Sequence, residues 1–269
     1  MRYLVPLREG GSLPAVVETD QDGHYVVKFR GAGQGARALV AEALVAGLAA
    51  ALELPVPSAA VVELEEGFGK AEPDPEIQDV LRGSVGANFG LAYVRQALGF
   101  DLAVDGAALD ADLAAAIVWL DAYTTNVDRT PRNPNLLVAS GQVWLIDHGA
   151  ALYFHHRWAG WRDRVHAPFP QIKDHVLLPL ASDLLVADAR LRACLDEATL
   201  RAVVATVPDE WLAPDQEVGD PAAQREAYAT YLLERLNGPR PWLDVAEQAR
   251  RQGLQPLSVR QTHRVGPSP

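Results

Sequence analysis

The chain has 269 residues, a single cysteine and a formal net charge of −11. It is therefore long enough for one large domain, and it cannot contain an internal disulfide or a CxxC zinc module. It has no apolar run near the roughly 20 residues of a membrane span and no apolar signal region at its N-terminus, and its acidic balance disfavours nonspecific binding to duplex DNA. We therefore expect a globular, cytoplasmic protein that is not a membrane protein and does not bind nucleic acid directly.

The first part of the chain has the pattern of a small β-rich lobe with one helix. The runs PAVVE (14–18) and HYVVKFR (24–30) are rich in β-branched and aromatic residues, and Asp22-Gly23 between them is typical of a hairpin turn. The alanine- and leucine-rich segment 36–52 predicts a helix that ends before two prolines, and 58–65 predicts a further strand.

A larger, mostly helical part is expected to follow. Residues 66–90 mix glycine, proline and acidic residues and are interpreted as a connector. Beyond them, residues 135–139 and 143–147 are interpreted as the two strands of a hairpin. Helices are expected over 108–126, 174–190, 196–206 and 221–237.

These patterns together predict an α+β fold with two lobes. The small β-rich lobe is expected over about 1–65 and the larger α-helical lobe over about 91–254, with the connector between them. Residues 1–254 would then form a single domain, followed by a loose tail over 255–269.

Lys28 and Glu42 are the first candidates for chemistry. Arginine is the usual cation of this chain, which has three lysines in all, Lys28, Lys70 and Lys173. Lys28 lies in a predicted strand, and Glu42 is the only charged residue between positions 38 and 52 of the predicted helix. Because glutamate is rarely buried unpaired, a helix this apolar favours a pair between Glu42 and Lys28, as in kinases that hold a strand lysine against nucleotide phosphates. Two separate, exposed side chains are the alternative.

The segment NVDRTPRNPN, residues 126–135, lies between a predicted helix and the predicted hairpin and holds three of the five asparagines of the chain. Asp128 and Asn133 have the D-x-x-x-x-N spacing of phosphoryl-transfer catalytic loops. In such loops the aspartate orients and deprotonates the acceptor hydroxyl, and the asparagine offers a neutral oxygen to a metal ion. Taken alone, a loop of this composition is more often a series of turns and Asx caps.

Asp147 ends the apolar run VWLI and directly precedes His148-Gly149. A carboxylate that leaves a strand just before a glycine has the position of an aspartate that holds Mg²⁺ between phosphates. In isolation the same pattern is typical of a strand-end turn. The order and spacing of all four features, from the strand lysine to this aspartate, favour a kinase-like protein.

Several signatures of conventional protein kinases are absent from the sequence. There is no G-x-G-x-x-G, and Gly10-Gly11-Ser12 is the early candidate for a phosphate loop. Thr125-Asn126-Val127 stands where His-Arg would precede the catalytic aspartate, and no Ala-Pro-Glu follows Asp147. The chain is therefore not expected to be a conventional eukaryotic-type protein kinase.

With these motifs the chain resembles the HipA-like kinase family, specifically its shorter, single-domain members. The resemblance covers about residues 10–180 and rests on GGSLPAVVE, YVVKF, LVAEALVAGLAAALELPVP, NFGLAYV, NVDRTPRNPNLLV, VWLIDHGAAL and DHVLLP. It implies a two-lobed, protein-kinase-like fold that uses ATP and Mg²⁺.

The resemblance also implies roles for the candidate residues. Asp128 would be the catalytic carboxylate, and Asn133 and Asp147 would hold the metal. Lys28 would contact the phosphates, with Glu42 orienting it. The residues that would approach the phosphates in the glycine loop are Gly10, Gly11 and Ser12.

The resemblance leaves the acceptor open. The larger HipA toxins phosphorylate a protein on serine and bind a DNA-binding antitoxin, but they carry an extra N-terminal subdomain that we expect this chain to lack. Type II phosphatidylinositol kinases have a similar catalytic pattern. We expect transfer to a serine or threonine hydroxyl of a protein; a lipid or small-molecule kinase, or a nucleotide-binding pseudokinase with a regulatory role, are the alternatives.

The segment 152–175 is rich in histidine and tryptophan. Its histidines lack the spacing of zinc-protease motifs, and the single cysteine is elsewhere in the chain. We interpret the segment as core packing and a loop that follows the metal-binding aspartate, where kinases contact their acceptor. The histidines concerned are His155, His156, His166 and His175.

Overall fold

The computed structural model describes residues 2–6, 13–20, 23–70 and 72–253. Three expectations lie outside these residues: the glycine-loop candidates Gly10, Gly11 and Ser12, the Asp22 position of the hairpin turn, and the tail over 255–269. Within the described part, none of the helices has both the length and the apolar character needed to cross a membrane.

The N-terminal sheet is formed by the strands β1 (Arg2–Pro6), β2 (Ala15–Glu18), β3 (His24–Lys28), β4 (Ala59–Leu64) and β5 (Gly86–Ala92). They are antiparallel and lie in the order β1-β2-β3-β5-β4. Lys28 ends β3 and is paired with Phe89 of β5. The alternation along β3 directs Val27 to a small apolar core on the outer side of the sheet and Lys28 to the opposite side.

The predicted connector over 66–90 is wrong in its second half, which contains regular structure. Helix α2 (Pro75–Arg82) begins at the N-cap Asp74, whose carboxylate accepts a hydrogen bond from the Glu76 N–H, and it buries Ile77 and Leu81. Strand β5 then lies in the interior of the sheet, between β3 and β4. Strand propensity does not predict β5, because the strand contains glycine and asparagine and its burial on both faces comes from tertiary neighbours.

Helix α1 (Gly35–Ala51) lies one residue from its predicted position and joins the two halves of the protein. It is apolar on nearly all sides and packs against β4 and β5 on one side and against α6 (Glu197–Ala205) on the other. A helix that is apolar all round has to be buried in this way. Glu42 is completely buried within it.

The remainder of the chain is mostly helical, which confirms the two-lobed α+β architecture. Its centre is α4 (Ala111–Thr124), with every side chain from Ala114 to Thr124 buried. Around it lie α3 (Leu102–Asp105), α5 (Leu184–Arg192), α7 (Pro221–Asn237) and α8 (Pro241–Gly253). A three-stranded sheet, in the order β6-β7-β8, is formed by β6 (Leu98–Gly99), β7 (Leu136–Ala139) and β8 (Gln142–Leu145).

The helix expected over 174–190 begins only at Leu184, where Asp183 caps it. The residues before it form two short 3₁₀ turns, Pro170–Asp174 and Leu178–Leu180. Pro179 has no N–H to continue a helix, and the Asp183 carboxylate satisfies the first free N–H groups of α5.

Candidate active site

Lys28, Glu42 and Asp147 meet at the inner face of the N-terminal sheet. The Lys28 ammonium donates to Glu42 Oε1 and, at 2.6 Å, to Asp147 Oδ1. Lys28 is 8% exposed and Glu42 is fully buried, whereas the Asp147 side chain is 40% exposed. The expected pairing of the strand lysine with the helix glutamate is present, and the aspartate of the distant hairpin joins it.

Lys28 and Asp147 stabilise each other's charged forms, whereas burial and the nearby Asp147 raise the pKa of Glu42 in spite of Lys28. Burial opposes the charged form of Lys28, but the carboxylates of Glu42 and Asp147 outweigh it and raise the pKa of the lysine. Burial would likewise raise the pKa of Asp147, but the Lys28 ammonium holds it below its usual range. At neutral pH the site therefore holds an ammonium beside a partly exposed carboxylate, which is the charge pattern needed to receive phosphate oxygens and a cation.

Asp147 has a backbone conformation that non-glycine residues rarely adopt, with φ of 55°. Its neighbour His148 donates its backbone N–H to Glu42 Oε2 at 2.9 Å. Gly149 lies so close to α1 that a Cβ there would be 3.2 Å from Glu42 Oε1. Because this loop approaches Glu42 so closely, a glycine fits at position 149 better than a residue with a side chain.

Asp128 lies in the loop between α4 and β7. Its Oδ2 accepts hydrogen bonds from Asn133 Nδ2 at 2.7 Å and from Asn135 Nδ2 at 3.4 Å, and its backbone N–H donates to Asn126 Oδ1 at 3.1 Å. Thr130 and Asn133 close the turn with two backbone hydrogen bonds of 3.0 Å each. The structure thus brings Asp128 and Asn133 together as the spacing predicts.

Asn135 also contacts Asp128, although the sequence analysis did not name it as a candidate ligand. Asn133 is exposed on the turn, whereas Asn135 is 8% exposed and has φ of 49°. The Ile146 N–H donates to the Asn135 carbonyl at 3.2 Å, so Asn135 lies across the hairpin from the residue just before Asp147. Its position directly before the apolar run of β7 is the signal that could have found it.

A buried polar network underlies the loop and was also missed. Asp121 of α4 accepts from Arg129 Nε at 2.6 Å and from His175 Nε2 at 2.9 Å through Oδ2, and from Asn126 Nδ2 at 3.0 Å through Oδ1. Burial opposes the ionisation of Asp121, but the Arg129 guanidinium outweighs it and lowers the pKa of the carboxyl. The sequence signal was Asp121 itself, the one charged residue in the stretch from Leu113 to Thr124 of α4.

His175 takes part in this network as a neutral ring. Burial lowers its pKa, and Asp121 offsets that effect in part. The Leu177 N–H donates to His175 Nδ1 at 3.0 Å, so the proton lies on Nε2, which donates to Asp121. Through Asp121, this contact joins the segment after Asp147 to the residues that underlie the Asp128 loop.

The residues present fit a magnesium ion better than a transition metal. No group of three or more histidine, cysteine or acidic side chains in the described residues could hold a metal ion by itself. Mg²⁺ needs no such group, because it is bound by one or two carboxylates together with substrate phosphates. Asp147 supplies a partly exposed carboxylate, and Asn133 and Asn135, whose side chains contact Asp128, offer amide oxygens.

The histidine- and tryptophan-rich segment packs into the core, as expected. Phe154 stacks on Tyr231 of α7 with ring centroids 3.8 Å apart. His155 is fully buried, and its Nδ1 lies 2.9 Å from Tyr228 Oη. Burial lowers the pKa of His155 well below its usual value, so this ring is neutral.

Comparison with known proteins agrees with this geometry. The sequence matches the HipA-like kinase family over residues 3–245, so the chain belongs to that family. Among solved structures, the fold is similar to that of the Helicobacter pylori proinflammatory kinase CtkA, with a TM-score of 0.60 and 14% identity over 93% of this chain and 95% of that chain. At this identity the likeness shows the fold alone. No curated protein matches the chain.

Proposed function

We propose that this HipA-like kinase is an ATP- and Mg²⁺-dependent phosphotransferase that transfers the γ-phosphate of ATP to a serine or threonine hydroxyl of a protein. The observation that carries the proposal is the Lys28 ammonium shared between Glu42 and Asp147. A buried ion pair of this kind is weak evidence for stability, so its presence here supports a functional role.

Lys28 is the residue that binds the phosphates. Glu42 is anchored by the His148 N–H and by Lys28, so it fixes the ammonium toward the sheet's inner face. Asp147, whose side chain is 40% exposed, is the carboxylate that would hold the metal. When bound, Mg²⁺ neutralises charge on the phosphate oxygens and orients the leaving group.

Asp128 positions the acceptor hydroxyl and takes its proton. Oδ2 is held by amide donors from Asn133 and Asn135, and Oδ1 accepts no hydrogen bond from the described residues. As the hydroxyl oxygen bonds to the γ-phosphorus, the bond from phosphorus to the bridging oxygen breaks, ADP leaves and the hydroxyl proton passes to Asp128.

The D-x-x-x-x-N spacing indicates Asn133 as the amide ligand of the metal, but the contacts in the structure favour Asn135. Both asparagines donate to Asp128, but Asn133 does so at 2.7 Å from an exposed position, whereas Asn135 does so at 3.4 Å, is buried and lies across the hairpin from the residue preceding Asp147. We therefore propose that Asn135 supplies the amide oxygen to the metal and that Asn133 orients Asp128.

Two measurements on wild type and two variants test this function. Thermal unfolding with ATP, with and without Mg²⁺, reports nucleotide binding; transfer of labelled phosphate to dephosphorylated casein, or to the chain itself, reports turnover. Saturation at about 100 Kd adds roughly 2.7 kcal/mol, or several degrees in Tm. Asp147→Ala should lose the Mg²⁺-dependent shift, and Asp128→Ala should keep it while losing transfer.

The control variant is Asp79→Ala, which removes an exposed aspartate on α2. It should behave like wild type in both measurements. A Mg²⁺-dependent shift without any transfer would favour the pseudokinase alternative. Wild-type transfer by Asp128→Ala would overturn the role of that carboxylate. A preference for lipid vesicles or small alcohols over casein would show that the acceptor is a lipid or a small molecule rather than a protein.

A further inference from the structure

Arg129, the residue after the proposed proton acceptor, is 1% exposed and binds partners on all sides. Its Nε donates to Asp121 Oδ2 at 2.6 Å. Nη1 donates to the carbonyl of Asn135 and, at 3.2 Å, to that of Ile146. Nη2 lies 3.2 Å from His148 Nδ1. The guanidinium thus contacts Asp121 of α4, the residue just before β7 and both neighbours of Asp147.

The ring of His148 is in the form that this contact requires. Since arginine can only donate, Nδ1 of His148 is the acceptor and Nε2 carries the proton, so the ring is neutral. Arg129 is held at four points by acceptors that belong to the site.

Asp147 needs such support because its backbone is in the left-handed region. A non-glycine residue in that region costs about 1–3 kcal/mol and persists where the surrounding structure determines it. Arg129 holds the Ile146 carbonyl on one side of Asp147 and the His148 ring on the other. The same arginine follows Asp128 in the chain, so one rigid side chain joins the two carboxylates.

We propose that Arg129 is a positioning residue which, anchored by Asp121, fixes the separation between Asp128 and Asp147. The inference rests on the proposed phosphotransfer and adds to it a determinant outside the residues that touch ATP or the acceptor. Removing the guanidinium should let the catalytic loop and the Asp147 loop move independently, and a displacement of about 1 Å can cost on the order of 100-fold in rate.

The experiment compares Arg129→Lys with Arg235→Lys. Arg235 is a matched control, because it is also an arginine, is fully buried and donates to four backbone carbonyls. Those carbonyls belong to Ala122, Tyr123, Val165 and Ala167, and not to the Asp128 or Asp147 loops. Lysine keeps the charge in both variants but cannot span several acceptors at once.

We expect both variants to lower the urea midpoint, since each disturbs a buried cation. Arg129→Lys should in addition lower kcat by about 10- to 100-fold with KM for ATP within about threefold, because the Lys28–Glu42 pair is untouched. It should also raise, several-fold, the Mg²⁺ concentration that gives half of the ATP-dependent thermal shift. Arg235→Lys should change neither kcat nor the Mg²⁺ dependence by more than about twofold.

Equal losses of kcat in the two variants, or wild-type kcat in folded Arg129→Lys, would overturn the proposal. Should Arg129→Lys not fold, Asp121→Asn tests the proposal instead, because it keeps the side-chain shape and removes the charge that anchors Arg129. Wild-type kcat and wild-type Mg²⁺ dependence in that variant would also overturn the proposal. If the wild type itself transfers no phosphate, the proposed function fails, and the Mg²⁺ dependence of the thermal shift still tests the positioning role.

Discussion

Lys28 and Glu42 form an ion pair that is almost entirely removed from solvent, although one lies on a strand and the other on a helix. The pair aligns the N-terminal sheet with α1, and Asp147 adds the C-terminal half to the same cluster. Two neighbouring segments and a third that is 119 residues from Lys28 in the chain thereby share one ammonium group. This arrangement makes the stability of the protein and its proposed activity depend on the same residues.

Lys28→Met should abolish transfer and destabilise the protein. Removing one partner leaves Glu42 as a buried charge, and breaking a buried pair costs about 3–5 kcal/mol. The double variant Lys28→Met/Glu42→Gln should recover most of that stability without recovering transfer. Urea unfolding and phosphate transfer, with the exposed Lys70→Met as control, check both parts. Stability that stays at the wild-type level in Lys28→Met would contradict the buried-pair argument.

Asn135→Ala and Asn133→Ala should differ in their response to Mg²⁺. Because Asn135 lies beside the Asp147 strand, its loss should raise the Mg²⁺ concentration needed for the ATP-dependent thermal shift several-fold. Asn133→Ala should leave that concentration within about twofold and lower kcat, because it removes a donor to Asp128. If Asn133→Ala raised the required Mg²⁺ concentration and Asn135→Ala did not, Asn133 would be the metal ligand.

Stability should fall as the pH drops below about 6.5. Burial lowers the pKa values of His148, His155 and His175, whereas in the unfolded chain each takes up a proton near pH 6.5. The unfolded state then binds more protons than the native one, so the free energy of unfolding decreases with falling pH, and for His148 this continues toward pH 3.

The size of the effect can be checked by urea unfolding at pH 7.5 and 5.5. His148 should contribute about 1.4 kcal/mol to the difference, because a folded pKa of about 3 leaves its ring neutral at both pH values, and the lowered pKa values of His155 and His175 act in the same direction. In His155→Gln the difference should be smaller, since the unfolded chain takes up one proton fewer. Equal stability at the two pH values would show that these rings are already protonated in the folded state.

Transfer should not depend on phosphorylation of the segment after Asp147. Residues 148–181 contain no serine or threonine, and the one tyrosine, Tyr153, is 66% exposed. The segment is held instead by His175 on Asp121 and by the Val176 N–H, which donates to the Arg129 carbonyl at 3.1 Å. Protein treated with phosphatase, and Tyr153→Phe, should keep rates within about twofold of untreated wild type. A large loss in either would indicate a phosphorylation switch.

Much of the architecture could be predicted from local pattern. Helix α1, strands β2 to β4 and the hairpin of β7 and β8 follow from periodicity and turn residues, because their local preferences agree with their final environment. Strand β5 was missed, since GANFGLA has a weak strand preference and owes its place to the neighbours on both sides. The helix expected over 174–190 was displaced by Pro179 and the Asp183 cap.

The sequence by itself determined the kinds of residue available for phosphoryl transfer, because a lysine on a strand, a lone glutamate in an apolar helix and the D-x-x-x-x-N and D-x-G spacings are local features. Tertiary structure alone decided which of them meet. Only the packed hairpin places Asn135 across from the residue before Asp147, and only burial makes Asp121, Arg129 and His175 one network. Contacts between residues so far apart depend on packing and desolvation, which no short window of sequence contains.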